Sequence, residues 1–239
     1  IDSDITILAL SPTLTKDFIN NKISLLKENS ILTDICGVKQ DIVAFAEEIA
    51  IKNNINFVGG HPMAGRAVNG FENSVDSLFI SRSYILTKTE NTKPEAIEAL
   101  SEMAYDLGCS DVTITTPKKH DKLIAFTSQL PHILAGTYVK SPASDEHKGF
   151  SAGSYHDVSR VASVDENLWS ELFLLNKENL LSEIDIFLKN LTAYRDAISN
   201  DDRQGVSEII KEGRLLKERD IIINGDEKPI VEEIIYNRE

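Results

Sequence analysis

The chain reads as α/β followed by all-α: an incomplete, doubly wound parallel sheet and then a helical domain. Three observations predict this. β-rich runs alternate with helix-length segments as far as Pro117, the periodicity from Lys118 to about Glu218 is helical, and no glycine-rich phosphate loop occurs anywhere in the 239 residues. Alternation of strands and helices produces a largely parallel sheet with helices on its faces. The boundary is expected between residues 1–117 and 118–239.

Ile5 to Leu10 is a short apolar run closed by Ser11-Pro12, which predicts a buried strand and a turn. Phe18, Ile19, Ile23 and Leu26 then recur near helical spacing across Leu14 to Glu28. The unit repeats. Ser30 to Ile35 is strand-like, and Val43, Phe45, Ala46, Ile49 and Ala50 mark the buried side of the next helix. Ile55 to Val58, Tyr84 to Leu86 and Val112 to Ile114 supply three further strands, with a helix from about Pro94 to Leu107 between the last two.

Beyond Pro117, helices are expected over Lys118 to about Val139, Glu166 to Leu174, Lys177 to Ile198 and Arg203 to Glu218. Leu180, Leu181, Ile184, Phe187, Leu188 and Leu191 form a wide apolar stripe that suits either a core or a subunit interface. Pro131 falls inside the first of these helices, where it removes a hydrogen bond at about 3 kcal/mol and predicts a kink beside His132. Lys140 to Gly153 reads as a mobile loop, and the tail after Asp220 as a short strand pair or a disordered end.

A net charge of −13 speaks against an extended basic face for nucleic acid or anionic lipid, so an anionic ligand must be held by a few placed cations. Cys36 and Cys109 lack metal-ligand spacing and predict buried, reduced thiols in a cytoplasmic protein with no metal. No apolar run approaches the roughly 18 to 20 residues that span a bilayer.

The candidate chemistry is concentrated in a few blocks. Gly59-Gly60-His61-Pro62-Met63-Ala64-Gly65 follows the apolar Asn56-Phe57-Val58, so a strand ends in glycines and then presents an imidazole. Open α/β folds bind their ligands at that end of the sheet. His61 is therefore a candidate base, although a histidine held extended before proline also suits a plain turn. Arg160 offers a planar fork that matches a carboxylate, or it is simply solvated. Asp157, three residues earlier, is near enough on a helical turn to orient it. Trp169, with Leu172 and Phe173, reads as core.

Gly59 to Gly65, Gly70 to Ser74, His120-Asp121, Leu130-Pro131-His132, Gly153 to Ala162 and Leu168 to Phe173 occur in this order, and together they resemble the prephenate dehydrogenase family. The resemblance spans roughly residues 4 to 220. It implies NAD- or NADP-dependent oxidative decarboxylation of prephenate to 4-hydroxyphenylpyruvate in tyrosine biosynthesis, or of arogenate to tyrosine. It also implies a nucleotide-binding domain and a helical domain that forms a homodimer. By position in the motifs, His61 takes the ring-hydroxyl proton and Arg160 holds the ring carboxylate. Gly153 and Asp157 shape that pocket, His132 lines it, and Trp169 reaches toward it, in relatives from the second subunit. The candidate cofactor contacts are Ser11, Pro12, Gly37 and Lys39.

Three departures stand out. Most members have Gly-Ser-Val-Lys where this chain has Cys36-Gly37-Val38-Lys39, so another group must orient His61. Ala67 replaces an acid common in relatives, with Arg66 beside it. The strand at Ile5 aligns with the start of the second half of a Rossmann-like sheet, so the first βαβ unit and its phosphate loop are absent. Because Ile1 stands in place of a start methionine, we expect a fragment that keeps the prephenate pocket and dimer interface but binds nicotinamide nucleotide poorly or not at all, with its first strand edge capped by another copy, by the tail, or by disorder of residues 1 to about 12. Two other readings compete. One is a non-catalytic dimerising module that binds an aromatic-pathway acid. The other is a β-hydroxyacid dehydrogenase using Lys118, Lys119 or Lys122.

Overall fold

The computed structural model describes residues 2–66 and 70–225. Ala67 and the last part of the tail, 226–239, lie outside the described residues. The sheet holds β1 (Ile5–Leu8), β2 (Ile31–Asp34), β3 (Asn56–Pro62), β4 (Ser83–Thr87) and β5 (Asp111–Thr115), side by side in chain order. The helices α1 (Pro12–Lys22), α2 (Gln40–Lys52) and α3 (Pro94–Asp106) connect them. Two caps follow directly from sequence: the Ser11 side chain accepts from Leu14 N ahead of Pro12, and Pro94 opens α3 without needing its missing N–H.

β1, β2 and β3 are mutually parallel, β4 runs antiparallel to β3, and β5 is parallel to β4. The reversal has a local cause. A parallel neighbour needs a crossover of a dozen or more residues, usually helical. The described part of the 63–82 connection holds only a 3₁₀ turn at Phe71–Asn73, so the chain doubles back. Adjacent β3 residues then serve opposite faces: Phe57 joins the cluster of Ile19, Leu32, Ile42 and Ala46, whereas Val58 joins Tyr84, Leu86, Ala96 and Leu100.

The paired glycines of β3 are required by close approach rather than by a turn. A Cβ on Gly59 would lie 2.5 Å from Thr87 Oγ1 and 2.9 Å from Val43 Cγ2, and one on Gly60 would lie 2.6 Å from the Asp34 carbonyl oxygen. These two positions let β3 pass between its neighbours and deliver His61 at its end.

Among the described residues β1 pairs with β2 alone. Residues 2 to 12 do not show the disorder that the bare edge suggested. Ile5–Leu8 is a regular strand, Ile31 N donates to Asp4 O, and Pro12 already begins α1.

After β5 come α4 (Pro117–Ile124), α5 (Leu130–Tyr138), α6 (Gly153–Ser159), α7 (Glu166–Leu175), α8 (Lys177–Ser199) and α9 (Arg203–Asn224). The expected proline kink is replaced by a wider turn. Ala125–Gln129 is π-helical, with Leu130 N donating to Ala125 O, and Pro131 falls in the first turn of α5, where its missing N–H matters little. The 140–153 segment carries a 3₁₀ turn at Pro142–Asp145, and His147 bonds Ser151 and stacks on Tyr155. The expected strand or disorder directly after Asp220 is instead helix, since α9 continues to Asn224 and ends on Gly225 at φ 64°.

The sheet, α1 to α7 and the start of α8 form one compact unit, residues 1–183, and the chain from Ile184 forms a second. In the second unit Leu188, Leu191, Ile198, Ile210 and Leu216 are all more than half exposed. No helix among the described residues is long and apolar enough to cross a membrane.

Candidate active site

His61 sits near the end of β3 and faces a cleft of about 420 Å³ that also takes in Arg66, Ser128, His132, Arg160 and Trp169. Each side chain arrives from a different element. Ser128 lies in the π-turn, His132 on α5, Arg160 in the 3₁₀ turn after α6, and Trp169 on α7. His132 Nδ1 is 2.8 Å from Ser128 O, and because a carbonyl only accepts, that nitrogen carries the proton. Its ring stacks on Trp169 with centroids 3.8 Å apart and an interplanar angle of 31°.

Behind His61 lies a polar chain. His61 Nδ1 is 2.8 Å from His120 Nε2, and His120 Nδ1 is 2.7 Å from Asp121 Oδ1. Asp121 also accepts from the backbone N–H groups of Lys39 at 2.7 Å and Gln40 at 2.9 Å, which caps α2 from another helix. Burial first, then the His120 ring and the Lys39 ammonium, hold the His61 pKa well below the ordinary 6.5. Burial also lowers His120, against the pull of Asp121. Both rings are therefore neutral near pH 7.

Lys39 is fully buried, with its ammonium bonded to Asp34 and, at 2.7 Å, to the Gly60 carbonyl just before His61. It is thus a brace under β3, and Lys39, expected among the cofactor contacts, lines neither the cleft at His61 nor the one at Gly37. Replacing it with methionine would strand the buried Asp34 carboxylate. We expect Lys39→Met to lose about 3–5 kcal/mol of stability, read from denaturant-unfolding midpoints.

A second cleft of about 390 Å³ opens at the carboxyl ends of β1 and β2, lined by Leu10, Ser11, Pro12, Cys36 and Gly37, among others. It shares Asp165 and Leu168 with the first. Gly37 stands where the two meet: a Cβ there would be 3.4 Å from Leu172 Cδ1 and 4.0 Å from His61 Nε2. The Cys36 thiol is pushed up to about 12, chiefly by burial and then by Asp34, so it stays protonated.

Of the residues singled out from sequence, His61, His132, Arg160 and Trp169 share one cleft, and Ser11, Pro12 and Gly37 share its neighbour. Trp169 reaches the cleft within its own chain. Gly153 and Asp157 are exposed on α6 and line neither cleft. Asp157 does not pair with Arg160: its carboxylate turns back along α6, with Oδ2 4.0 Å from where a Gly153 side chain would begin, while Arg160 lines the cleft. Lys118, Lys119 and Lys122 are exposed on α4 and line neither cleft. Sequence reasoning did not assign a role to Ser128, Asp165, His120 or Asp121. Only the His-Asp pair carried a signal, two titratable residues placed just inside a helix capped by Thr116.

A sheet that carries its polar site at the carboxyl end of its strands, continued by helices that complete the cleft, defines a nucleotide-binding type of α/β unit with an appended helical segment. Residues 1–112 match the family model for the prephenate dehydrogenase nucleotide-binding domain, and residues 116–212 match that for the prephenate dehydrogenase dimerization domain. The chain belongs to the prephenate dehydrogenase family. It is 30% identical to the prephenate dehydrogenase of Lactococcus lactis over 91% of this chain and 61% of that one. The Bacillus subtilis prephenate dehydrogenase is 28% identical over 78% of this chain and 51% of its own length, so the chain spans about half to three-fifths of these relatives. Prephenate dehydrogenase from Aquifex aeolicus, solved with hydroxyphenyl propionate and NAD+, superposes with a TM-score of 0.77 at 28% identity, over 91% of this chain and 77% of that one.

Proposed function

We propose that this chain carries the substrate site of an NAD- or NADP-dependent dehydrogenase that converts prephenate to 4-hydroxyphenylpyruvate and carbon dioxide in tyrosine biosynthesis. One observation carries the reading: a neutral imidazole and a guanidinium line the same cleft, one able to take a proton and the other able to hold a carboxylate. Arg160 binds the ring carboxylate of prephenate, and His132 and Trp169 wall the ring. His61 accepts the proton of the ring hydroxyl at its free nitrogen. As the carbon bearing that hydroxyl gives up hydride, the bond to the ring carboxylate breaks, carbon dioxide leaves, the ring becomes aromatic, and the phenolate oxygen takes the proton back from His61.

Nicotinamide supplies the hydride acceptor when bound. The cleft at Ser11, Pro12 and Gly37 suits the flat, positively charged ring of the oxidised cofactor, because it is partly apolar and has no basic residue among those that line it. It does not suit the diphosphate. The Thr13 and Leu14 N–H groups at the start of α1 already donate to Glu171 and Ser11. The exposed apolar residues of α8 and α9 support a homodimer, and the two buried cysteines, neither in a disulfide, support a cytoplasmic setting.

The test is turnover of prephenate with NAD+ or NADP+ by the natural protein that contains this chain. Reduced nicotinamide and carbon dioxide should form in equal amounts. Tight binding of prephenate without turnover would favour the regulatory-module reading and overturn this one. The pH profile supplies a second expected result. A base acts only when unprotonated, and a pKa held below 6.5 delays protonation to lower pH. kcat/KM should therefore stay level as pH falls through 6.5 and decline only well below it. Stability follows the same sign. The unfolded chain takes up protons near 6.5 that folded His61 and His120 do not, so stability is full above that value and falls as pH drops beneath it.

A further inference from the structure

We propose that His120 and Asp121 are positioning residues that fix the tautomer of His61, leaving Nε2 bare toward the junction of the two clefts and Nδ1 protonated behind it. The proposal rests on His61 being the base of the prephenate reaction.

The argument runs outward from Asp121. The polar contacts of its two carboxylate oxygens are the Lys39 and Gln40 backbone N–H groups, the Gln40 side-chain amide at 3.4 Å, and His120 Nδ1. The first three can only donate. The carboxylate is therefore an acceptor on both oxygens, and His120 Nδ1 must carry the proton. A neutral His120 then has a bare Nε2. That atom is 2.8 Å from His61 Nδ1, so the hydrogen between the two rings belongs to His61. The free lone pair of His61 is consequently on Nε2, the nitrogen 4.0 Å from where a Gly37 side chain would begin.

This chain of bonds answers the departure at Gly37. A serine hydroxyl there could approach His61 Nε2 from the front; here the ring is held from behind. His120 and Asp121 are each no more than 2% exposed, so the bonds are shielded from water. The groups that bear on His61 are His120 and Asp121 from α4, the Lys39–Asp34 pair beneath β3, and Arg66, His132, Arg160 and Asp165 around the cleft. Of these, only His120 is bonded to the ring itself.

The test uses ring-¹⁵N histidine NMR and steady-state kinetics on the natural protein, with two variants. His120→Leu removes the acceptor and leaves the Asp121 cap on α2 in place. His120→Gln keeps an oxygen able to accept from His61. In the unsubstituted protein, His61 should show a protonated Nδ1 and a bare Nε2. His120→Leu should average the two tautomers and lower kcat by about 10²-fold with KM within about twofold, and His120→Gln should recover most of that loss. A protonated Nε2 on His61 in the unsubstituted protein would overturn the proposal, as would a His120→Leu variant with unchanged kcat and tautomer. Should His120→Leu fail to fold, the unsubstituted spectrum and His120→Gln still decide it. The expected tautomer in a protein that does not turn over prephenate would leave the positioning intact and remove the proposed reaction instead.

Discussion

Exchanging His61 for asparagine should lower kcat on prephenate by about 10³-fold while KM stays within a few-fold. Asparagine keeps a side chain of similar polarity at the end of β3 but cannot take a proton. The hydride and carboxylate steps then have to proceed with the hydroxyl still protonated, or with water as a poor acceptor. Binding should be affected little, because in the proposed pose the charged contact with substrate falls to Arg160 and the ring lies against His132 and Trp169, which line the same cleft. The acidic limb of the pH profile should disappear from what activity remains, since the group that produces it has gone. A His61→Asn enzyme within tenfold of the unsubstituted kcat would show that the base lies elsewhere.

The second large effect is expected at Arg160. Truncation to alanine should reduce kcat/KM by about 30- to 1000-fold, equivalent to about 2–4 kcal/mol of lost charge-assisted bonding. Lysine should restore only part of this, because a single ammonium cannot reproduce two parallel N–H donors. Among the described residues Arg160 has no carboxylate partner of its own, so its fork is available to a ligand. 4-Hydroxyphenylpyruvate, which lacks the ring carboxylate, provides the control. Its affinity should be nearly the same for Arg160→Ala and the unsubstituted protein, whereas prephenate affinity falls. Equal losses for both acids would mean that Arg160 supports the shape of the cleft and does not bind the ring carboxylate.

The β-α order, the terminal glycines of β3 and the helical run after Pro117 were legible in the sequence because each depends on local periodicity or on a single steric demand. The reversal of β4 was not marked by its own residues; it depends on the absence of a crossover helix in the segment before it. In the site, His61, His132, Arg160 and Trp169 could be picked out because their neighbours form motifs. At Lys39 the sequence is ambiguous for a physical reason. A lysine beside a ligand cleft and one buried against an aspartate look alike in sequence, and only the fold brings Asp34 under it. Asp121 likewise acts across 81 positions to cap α2, a contact that no local pattern encodes. Asp157, by contrast, satisfies the spacing rule, but its carboxylate turns toward Gly153 while Arg160 faces the cleft, a choice of direction that spacing does not encode.

The π-turn at Ala125–Gln129 makes the stretch from His120 to His132 sensitive to its length. Such a turn is an α-helix with one residue too many, so deleting any single residue within it should let the helix close up and swing everything downstream by about 100°. His132 would leave Trp169 and point off the cleft, while His120, upstream of the cut, would keep its place beside His61. The extra residue thus sets the phase between the two histidines of one helical run, and so decides that both serve a single cavity.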